Sequence, residues 1–458
     1  MSSYRPDPRI LALGPDFYDP VEPAPFPTCT PRFLNHRWAR RIGLELAEQD
    51  WSNHFCRFEP LPGNIGQPLA QRYHGHQFRV YNPEIGDGRG FTLAQLRDDH
   101  GRLLELGTKG SGQTPYSRQA DGRLTLKGGV REVLATEMLE ALGVNTSKSF
   151  ALFETGEALE RGDEPSPTRS AVLTRLSRGH VRIGTFQRLA FFGEVDNLKK
   201  LTRYCLESLY GEESSDDEPK DALRLFDLAC DATARLAASY LAAGFVHGVL
   251  NSDNINVTGE SFDYGPWRFT PYWEPEFTAA YFDHYGLYAF GRQPEAIHWD
   301  LAQLAGALSL IAESSALAER LSGWSRQFED ALVEAMVRRL GLASGDEDRK
   351  LTGALVRALA TRAHPIDRIF FDWRGGRDPG AQLYPEAPFR ELATLIEGRE
   401  RTRSHPYWSD PQPCSMHIEE VEAIWAAIAE ADDWQPFNNK VKAVRRMGEA
   451  MEQDAPES

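Results

Sequence analysis

A polar segment that directly follows a long apolar helix constrains this chain more than any other feature. Residues 222–243 are largely apolar and read as one long helix. The next segment runs HGVLNSDN from His247 to Asn254, and a Thr258-Gly259 pair and an Asp263-Tyr-Gly265 triplet follow it. We interpret residues 245–265 as compact and strand-like, with a hairpin turn at the Thr-Gly pair.

The hairpin interpretation predicts a metal site. Asn254 and Asp263 are equidistant from the Thr258–Gly259 midpoint, so a hairpin would place them opposite each other at its open end. An amide oxygen and a carboxylate suit Mg²⁺, and Asp253 beside them is a candidate general base. The alternative is a polar loop in which Asp and Asn only form turns. Three such residues around one turn favour the site.

A glycine-dense stretch covers residues 63–129 and reads as strands. Two apolar segments, 91–96 and 103–107, flank Asp-Asp-His-Gly and predict a hairpin. Just before it, Gly86-Asp-Gly88-Arg89 could bring backbone N–H groups and a guanidinium to phosphate oxygens. On its own, that motif is more typical of a simple tight turn.

Lys109 ends the second strand of this hairpin, among glycines and a serine. A lysine there can reach a nucleotide phosphate, although most lysines are solvated surface residues. Glu132 lies 23 residues later, at the start of a predicted helix over 130–142, and could pair with Lys109 as in kinases. The alternative is a carboxylate that merely favours a helix N-terminus. Asp121-Gly122 lies in the intervening loop.

Arg175 and Arg182 form a local basic pair in an otherwise acidic chain. Guanidinium groups bind phosphates bidentately, so the pair could hold a polyphosphate. Surface ion pairs with the excess carboxylates explain the spacing equally well.

The order of these segments predicts the fold class. A glycine-rich strand region precedes a mainly helical one, which predicts an α+β, protein-kinase-like, two-lobed fold. We expect residues 1–62 to form an extended proline-rich arm and one helix, from Arg32 to Asp50. Residues 63–210 should form a nucleotide-binding N-lobe, and residues 211–458 a helical C-lobe that carries the 247–265 loop. Within the C-lobe, residues 299–317 read as helical and the tail 452–458 as frayed.

Composition narrows the partners and the compartment. With 51 basic and 67 acidic residues, the net charge is −16, which argues against nucleic-acid and anionic-membrane binding. Five scattered cysteines without a CxxC pair predict neither a disulfide scaffold nor a structural zinc site, and they favour a reducing compartment. No secretory signal or spanning segment is evident, so we expect a cytoplasmic protein.

The motifs together resemble the selenoprotein O family of pseudokinase-like protein adenylyltransferases. The matching segments occur in that family's order and spacing over more than half of the chain. They are GNIGQPLAQRYHGHQF (63–78), GDGRG (86–90), ELGTKGSGQTPYSRQADGR (105–123), REVLATEMLEALGV (131–144), HGVLNSDNINVTGESFDYGP (247–266) and GRQPEAIHWDLAQLAGAL (291–308).

The resemblance implies a kinase-like fold that binds ATP in a flipped orientation and transfers AMP to a Ser, Thr or Tyr hydroxyl of a protein. It implies that Asp253 accepts the proton, that Glu132 pairs with Lys109, and that Asn254 and Asp263 bind Mg²⁺ or Mn²⁺. The residues it assigns to ATP are Gly86, Gly88, Arg89, Lys109, Asp121, Gly122, Arg175, Arg182 and Asp263.

Three other functions stay open at this point: phosphoryl transfer, uridylyl transfer from UTP with Mn²⁺, and non-catalytic ATP binding. A kinase places its metal-binding asparagine five residues after the catalytic aspartate, whereas Asn254 directly follows Asp253. That spacing argues against ordinary kinase geometry. Many members of the family end in a cysteine or selenocysteine motif, but neither residues 451–458 nor the loop 277–283 contains cysteine. We therefore expect no thiol switch of that kind.

Overall fold

The computed structural model describes residues 3–162, 164–401 and 403–454. It shows an α+β protein with a β-rich N-terminal region and a helical C-terminal region, which confirms the coarse fold prediction. The strands are β1 (Tyr18–Pro20), β2 (Thr30–Leu34), β3 (Leu69–Gln71), β4 (Gly75–Gln77), β5 (Val80–Asn82), β6 (Thr92–Arg97), β7 (Leu103–Lys109), β8 (Leu124–Thr125), β9 (Lys148–Leu159), β10 (Thr168–Ser177), β11 (Phe245–Val246) and β12 (Arg268–Phe269). The helices are α1 (His36–Arg41), α2 (Glu48–Phe55), α3 (Leu126–Ala141), α4 (Ile183–Phe191), α5 (Val195–Tyr204), α6 (Glu218–Ala243), α7 (Gln293–Leu308), α8 (Ser314–Ser322), α9 (Trp324–Leu340), α10 (Asp348–Ala360), α11 (Ile366–Asp372), α12 (Ala387–Ile396), α13 (Ile418–Ala431) and α14 (Gln435–Gln453).

One twisted sheet organises the N-terminal region. Its strand order is β1-β3-β6-β7-β10-β9-β2, and β8 pairs with β10. The predicted β6–β7 hairpin is present, with Arg97 opposite Leu103. β7 also pairs antiparallel with β10, with Lys109 opposite Leu173. Lys109 therefore ends a central, fully buried strand, and its pairing with β10 fixes its position.

Helix α3 packs against this sheet and against the helical region. The Thr125 side chain accepts a hydrogen bond from the Gly128 N–H and caps the helix. Val130, Val133 and Leu134 are fully buried, as the sequence periodicity predicts. The helix begins four residues before the predicted 130–142 because the short strand β8 runs directly into it.

The N-terminal 62 residues differ from prediction. The proline-rich arm is not merely extended: it contributes β1, which pairs with β3, and it buries Phe17. The single predicted helix over 32–50 is wrong, because strand β2 and two short helices replace it and Gly43 adopts a φ of 70° between them.

The cysteine prediction also needs correction, because Cys29 and Cys56 form a disulfide. Their sequence separation of 27 gave no motif, and folding brings the two Cα atoms within 6.0 Å. Cys205 and Cys230 are free and buried, and Cys414 is free.

The prediction of a hairpin within residues 245–265 is wrong, because the two arms of its turn do not pair with each other. A turn does form, with the Gly259 N–H bonded to the Asn256 carbonyl. Its two arms, however, bond to the N-terminal region instead of to each other, with Asn256 opposite Arg182 and Ser261 beside Thr146. The regular pairing lies further out, between β11 and β12. Long-range partners thus replaced the local pairing that the sequence symmetry suggested.

The helical region is held together by apolar packing. The long helix predicted over 222–243 is α6, and its last turns are almost entirely buried. The helix predicted over 299–317 divides into α7 and α8 around a break at residues 309–313. Residues 455–458 of the predicted frayed tail lie outside the described residues, whereas α14 reaches Gln453. None of the described helices has the length and apolarity needed for a bilayer span.

Candidate active site

A cleft of about 660 Å³ opens between the sheet and the segment after α6. Most of the predicted site residues line it, although they come from distant parts of the sequence. The lining residues include Gly86, Gly88, Arg89, Lys109, Asp121, Gly122, Arg175, Arg182, Asp253 and Asp263.

Lys109 is the centre of a buried ion cluster on the floor of this cleft. Its Nζ lies 2.7 Å from Glu132 Oε2 and 2.9 Å from Asp263 Oδ1. Arg175 Nη1 lies 3.4 Å from Asp263 Oδ1 and 3.6 Å from Glu132 Oε1. The lysine–glutamate pair predicted from the sequence is therefore present, and the Asp263 side chain joins it.

Asp263 is held in the charged form by this cluster. Burial raises its pKa, but Lys109, Arg175 and the more distant Arg182 and Arg89 together hold the pKa well below its usual range. The residue also has a φ of 62°, which is uncommon outside glycine and aims the carboxylate at the cations.

Asp253 occupies a different environment on the opposite wall. It lies in one turn of 3₁₀ helix, Ser252–Asn254, and its side chain is buried. Burial raises its pKa to about 6, against the opposing attraction of Arg182. The Asp253 Oδ1 atom has no hydrogen-bond partner among the described residues. A buried, unpartnered carboxylate with a pKa near neutrality suits proton acceptance.

Arg182 joins the two sides of the cleft. Its Nη1 donates to the backbone carbonyl of Asp253 at 2.9 Å, and its Nη2 lies 3.6 Å from Asp87 Oδ1. The guanidinium also stacks 4.2 Å from the Tyr73 ring centroid. These contacts fix the position of the guanidinium beside Asp253.

The two glycine turns are tightly enclosed. A Cβ on Gly86 would lie 2.4 Å from the Tyr116 ring, and one on Gly122, where φ is 70°, would lie 2.1 Å from the Gly112 oxygen. Only glycine fits either place, so both loops are shaped by close backbone approach. Asp121 lies at the rim of the cleft, 2.8 Å from Arg161 Nη1.

Two of the predicted site residues, the buried Glu132 and Asn254, do not line the cleft wall. The Asn254 Nδ2 donates to the Val249 carbonyl at 3.1 Å. Its amide oxygen and the Asp263 carboxylate are oxygen donors of the kind that Mg²⁺ prefers. The described residues include no cluster of three or more His, Cys, Asp or Glu side chains that could hold a metal. The chemistry of the Asn254 and Asp263 side chains fits a metal ion that takes its other ligands from nucleotide phosphates and water.

Sequence reasoning missed two residues that line this cleft and one buried carboxylate near Asp253. Asp87, inside the glycine motif, is buried in the cleft, and burial raises its pKa. Tyr73 lines the cleft within a segment quoted only for its family likeness. Asp300 on α7 is buried, and neither of its carboxylate oxygens has a partner among the described residues. Burial and the nearby Asp253 charge raise its pKa well above the usual range. The acidic residue between two glycines was the available signal for Asp87.

Comparison with known proteins identifies the family. Residues 2–387 match the family described as "Protein adenylyltransferase SelO". The chain belongs to this family. The "Protein nucleotidyltransferase YdiU" of Synechocystis sp. is 40% identical, over 96% of this chain and 97% of the relative. The protein of the same name from Gloeobacter violaceus is 42% identical, over 96% and 95%. The one from Vibrio cholerae is 36% identical, over 74% and 68%.

Membership of the SelO family confirms two predictions from the sequence. The resemblance to selenoprotein O is correct, and the chain is an enzyme of the nucleotidyltransferase class. The family relationship also implies a nucleotide substrate and a protein substrate.

Proposed function

We propose that this protein transfers AMP from ATP to Ser, Thr or Tyr hydroxyls of proteins, with release of pyrophosphate. The observation that carries the proposal is the pair of unlike aspartates in one cleft. Asp263 is fixed as an anion among cations, and Asp253 is buried with a free oxygen. The first suits metal–nucleotide binding and the second suits proton acceptance from a hydroxyl.

The cations of the cleft would hold the triphosphate. Lys109, Arg175 and Arg182 are all buried, so their attraction for phosphate is weakly screened. Gly86, Gly88 and Gly122 would let backbone approach the nucleotide, and Arg89 and Asp121 would contact it from the rim. We propose the kinase-like, two-lobed arrangement with flipped ATP as the frame that places the α-phosphorus near Asp253.

A divalent ion, Mg²⁺ or Mn²⁺, would be held by Asp263 and Asn254. When bound, it would supply charge neutralisation at the phosphates. The side chains of the protein perform the remaining work. Glu132 orients Lys109, and Arg182 positions the backbone of Asp253 through its 2.9 Å hydrogen bond.

The reaction needs one nucleophile and one proton acceptor. The acceptor hydroxyl oxygen attacks the α-phosphorus as Asp253 takes the hydroxyl proton. The bond between the α-phosphorus and the bridging oxygen breaks, and pyrophosphate leaves with the bonding electrons. Most of the acceleration would come from positioning and from electrostatic stabilisation of the phosphates.

Intact-mass analysis after incubation with ATP and Mg²⁺ tests the proposal. Addition of AMP to protein is the expected result, with Asp253→Ala as the inactive control. Addition of phosphate would show a kinase, and stabilisation by ATP without a covalent product would show a binding scaffold. Competition between ATP with Mg²⁺ and UTP with Mn²⁺ decides between adenylyl and uridylyl transfer.

A further inference from the structure

Exposed apolar side chains are concentrated beside the cleft. The described part of the chain exposes ten large hydrophobic side chains, and seven of them belong to three neighbouring segments: the β4–β5 hairpin, the end of α4 and the loop 281–285. We call these seven the aromatic rim: Phe78, Val80, Phe191, Phe192, Tyr281, Phe282 and Tyr285. Such concentration of apolar surface marks interaction sites in soluble proteins.

Ring contacts join residues of the rim into two groups that meet at the β4–β5 hairpin. The Phe78 ring centroid lies 5.8 Å from that of Phe282, which lies 5.1 Å from that of Tyr281. On the other side of the hairpin, Tyr81 stacks on Phe191 at 5.4 Å. The hairpin therefore links an aromatic cluster on α4 with an aromatic cluster on the loop after β12.

The hairpin tip holds two bulky residues in an unfavourable backbone conformation. Phe78 has a φ of 49° and Arg79 a φ of 62°, and both occupy a two-residue turn in which Asn and Gly are the usual choices. Val80 next to the tip is 69% exposed, so burial of this side chain does not compensate for the strain. Strain of this kind persists mainly at functional sites.

The rim is joined directly to Asp253. A Cβ added to Gly75 would lie 2.9 Å from the Asp253 Cβ, so β4 packs on the catalytic turn. The Phe78 N–H donates to Asn251 Oδ1 at 2.9 Å, and the Tyr288 hydroxyl donates to the same oxygen at 2.6 Å. The segment that carries Asp253 is thus bonded both to the hairpin and to the loop region.

We propose that the aromatic rim docks an extended segment of the acceptor protein, in which aromatic or branched apolar side chains flank the hydroxyl to be modified. This inference rests on the proposed function, because a protein acceptor must bring its hydroxyl to Asp253 across this surface. Exposed aromatic side chains next to a cleft give such a segment large contact area at low entropic cost.

The test uses the full chain with and without Tyr281→Ser plus Tyr285→Ser. These side chains are 82% and 93% exposed, so their replacement leaves the core intact. The matched control is Leu310→Ser plus Leu383→Ser, two exposed apolar residues outside the rim. The probes are short fluorescent peptides with a central tyrosine, flanked either by Leu and Phe or by Gln and Gly. Anisotropy measures their binding, and labelled ATP measures transfer to them and to N-acetyltyrosine amide.

The wild type and the leucine control should bind the apolar-flanked peptide about tenfold more tightly than the polar-flanked one, and the rim variant should lose that preference. Transfer to N-acetyltyrosine amide should be unchanged in the rim variant. An equal preference for the apolar-flanked peptide in all three proteins would overturn the proposal. A second overturning result would be a wild-type dimer, detected by light scattering, that the rim variant does not form although it still binds the peptide. If the wild type modifies no acceptor, the proposed function fails, and the binding measurement still decides the role of the rim.

Discussion

The floor and the opposite wall of the cleft each carry an aspartate, and the pKa values of these two aspartates are shifted in opposite directions. On the floor, Lys109 and Arg175 surround Asp263 and hold its pKa well below the usual range, against the effect of burial. On the wall, Asp253 is buried with Arg182 as its main cationic influence, and its pKa is raised to about 6. The two carboxylates differ in their neighbours and not in their chemistry.

That difference teaches how one cleft can both bind and catalyse. A carboxylate among buried cations stays charged and can share a metal with phosphates. A buried carboxylate with one cation near it, instead of several, holds a pKa closer to the pH of the reaction and can accept a proton. Pairs of titratable groups whose environments separate their pKa values mark acid–base sites.

The largest expected effect on transfer comes from removing the Asp253 carboxylate on the wall of the cleft. Asp253→Ala should lower transfer about 10³- to 10⁴-fold, because it removes the proton acceptor, while ATP affinity stays within about threefold. Steady-state transfer of labelled AMP and calorimetric ATP binding measure the two quantities. Asp99→Ala on the exposed β6–β7 turn is the control and should behave as the wild type. Near-normal transfer by Asp253→Ala would refute the assigned role.

The floor of this cleft was more predictable from sequence than the wall. Lys109 ends a strand and Glu132 lies in the second turn of the next helix, and both elements follow from local periodicity and turn signals. Their 2.7 Å contact required only that a strand and the following helix pack together. The family resemblance supplied the roles that spacing alone could not.

The wall was less predictable because non-local contacts shape it. The symmetry around Thr258–Gly259 predicted a hairpin, yet its arms bond to Arg182 and Thr146, far away in sequence. No local pattern encodes those partners. The same reason explains why Asp300, contributed by α7, and the Cys29–Cys56 bond were missed.

The next effect concerns the stability of the floor. Lys109→Met should lower the free energy of unfolding by about 3–5 kcal/mol, because it leaves the fully buried Glu132 carboxylate without its closest cation. Urea denaturation without ligands measures it. Adding Glu132→Gln to the same chain should restore part of the loss, since the uncompensated charge is then gone. Strictly additive losses in the double variant would contradict the pairing.

A substitution of Asp253 on the wall should have a smaller effect on the free energy of unfolding, and of opposite sign to that of Lys109→Met. Asp253→Asn should stabilise the ligand-free protein at pH 7.5 by about 2–3 kcal/mol, because charging Asp253 is penalised in the folded state. The pKa is raised from 3.8 to about 6, so the folded state binds the proton more tightly than the unfolded chain. Wild-type stability therefore falls as the pH rises through this window, and the advantage of the variant should vanish below about pH 4.

Thermal or urea unfolding of both proteins in EDTA at several pH values checks this sign. The Asp99→Asn variant provides the control, because Arg41 outweighs burial and lowers the pKa of the exposed Asp99 carboxylate, so removal of this charge should not stabilise the protein at pH 7.5. An advantage for Asp253→Asn that is equal at pH 4 and pH 7.5 would show that the charge of Asp253 carries no penalty and would remove the contrast between the wall and the floor.

The smallest effect on ATP binding is expected at the solvent-exposed edge of the cleft, where Asp121 lies. Asp121→Ala should weaken ATP binding only about threefold, because this carboxylate is nearly half exposed and water competes for its contacts. Arg161 lies 2.8 Å away and lowers the pKa of Asp121 despite partial burial, so Arg161→Ala leaves the Asp121 acceptor in place and should bind ATP as well as the wild type. Calorimetric titration separates the two variants. A loss as large as that from an Asp263 substitution would show that nucleotide affinity is spread along the cleft instead of concentrated at its buried cationic floor.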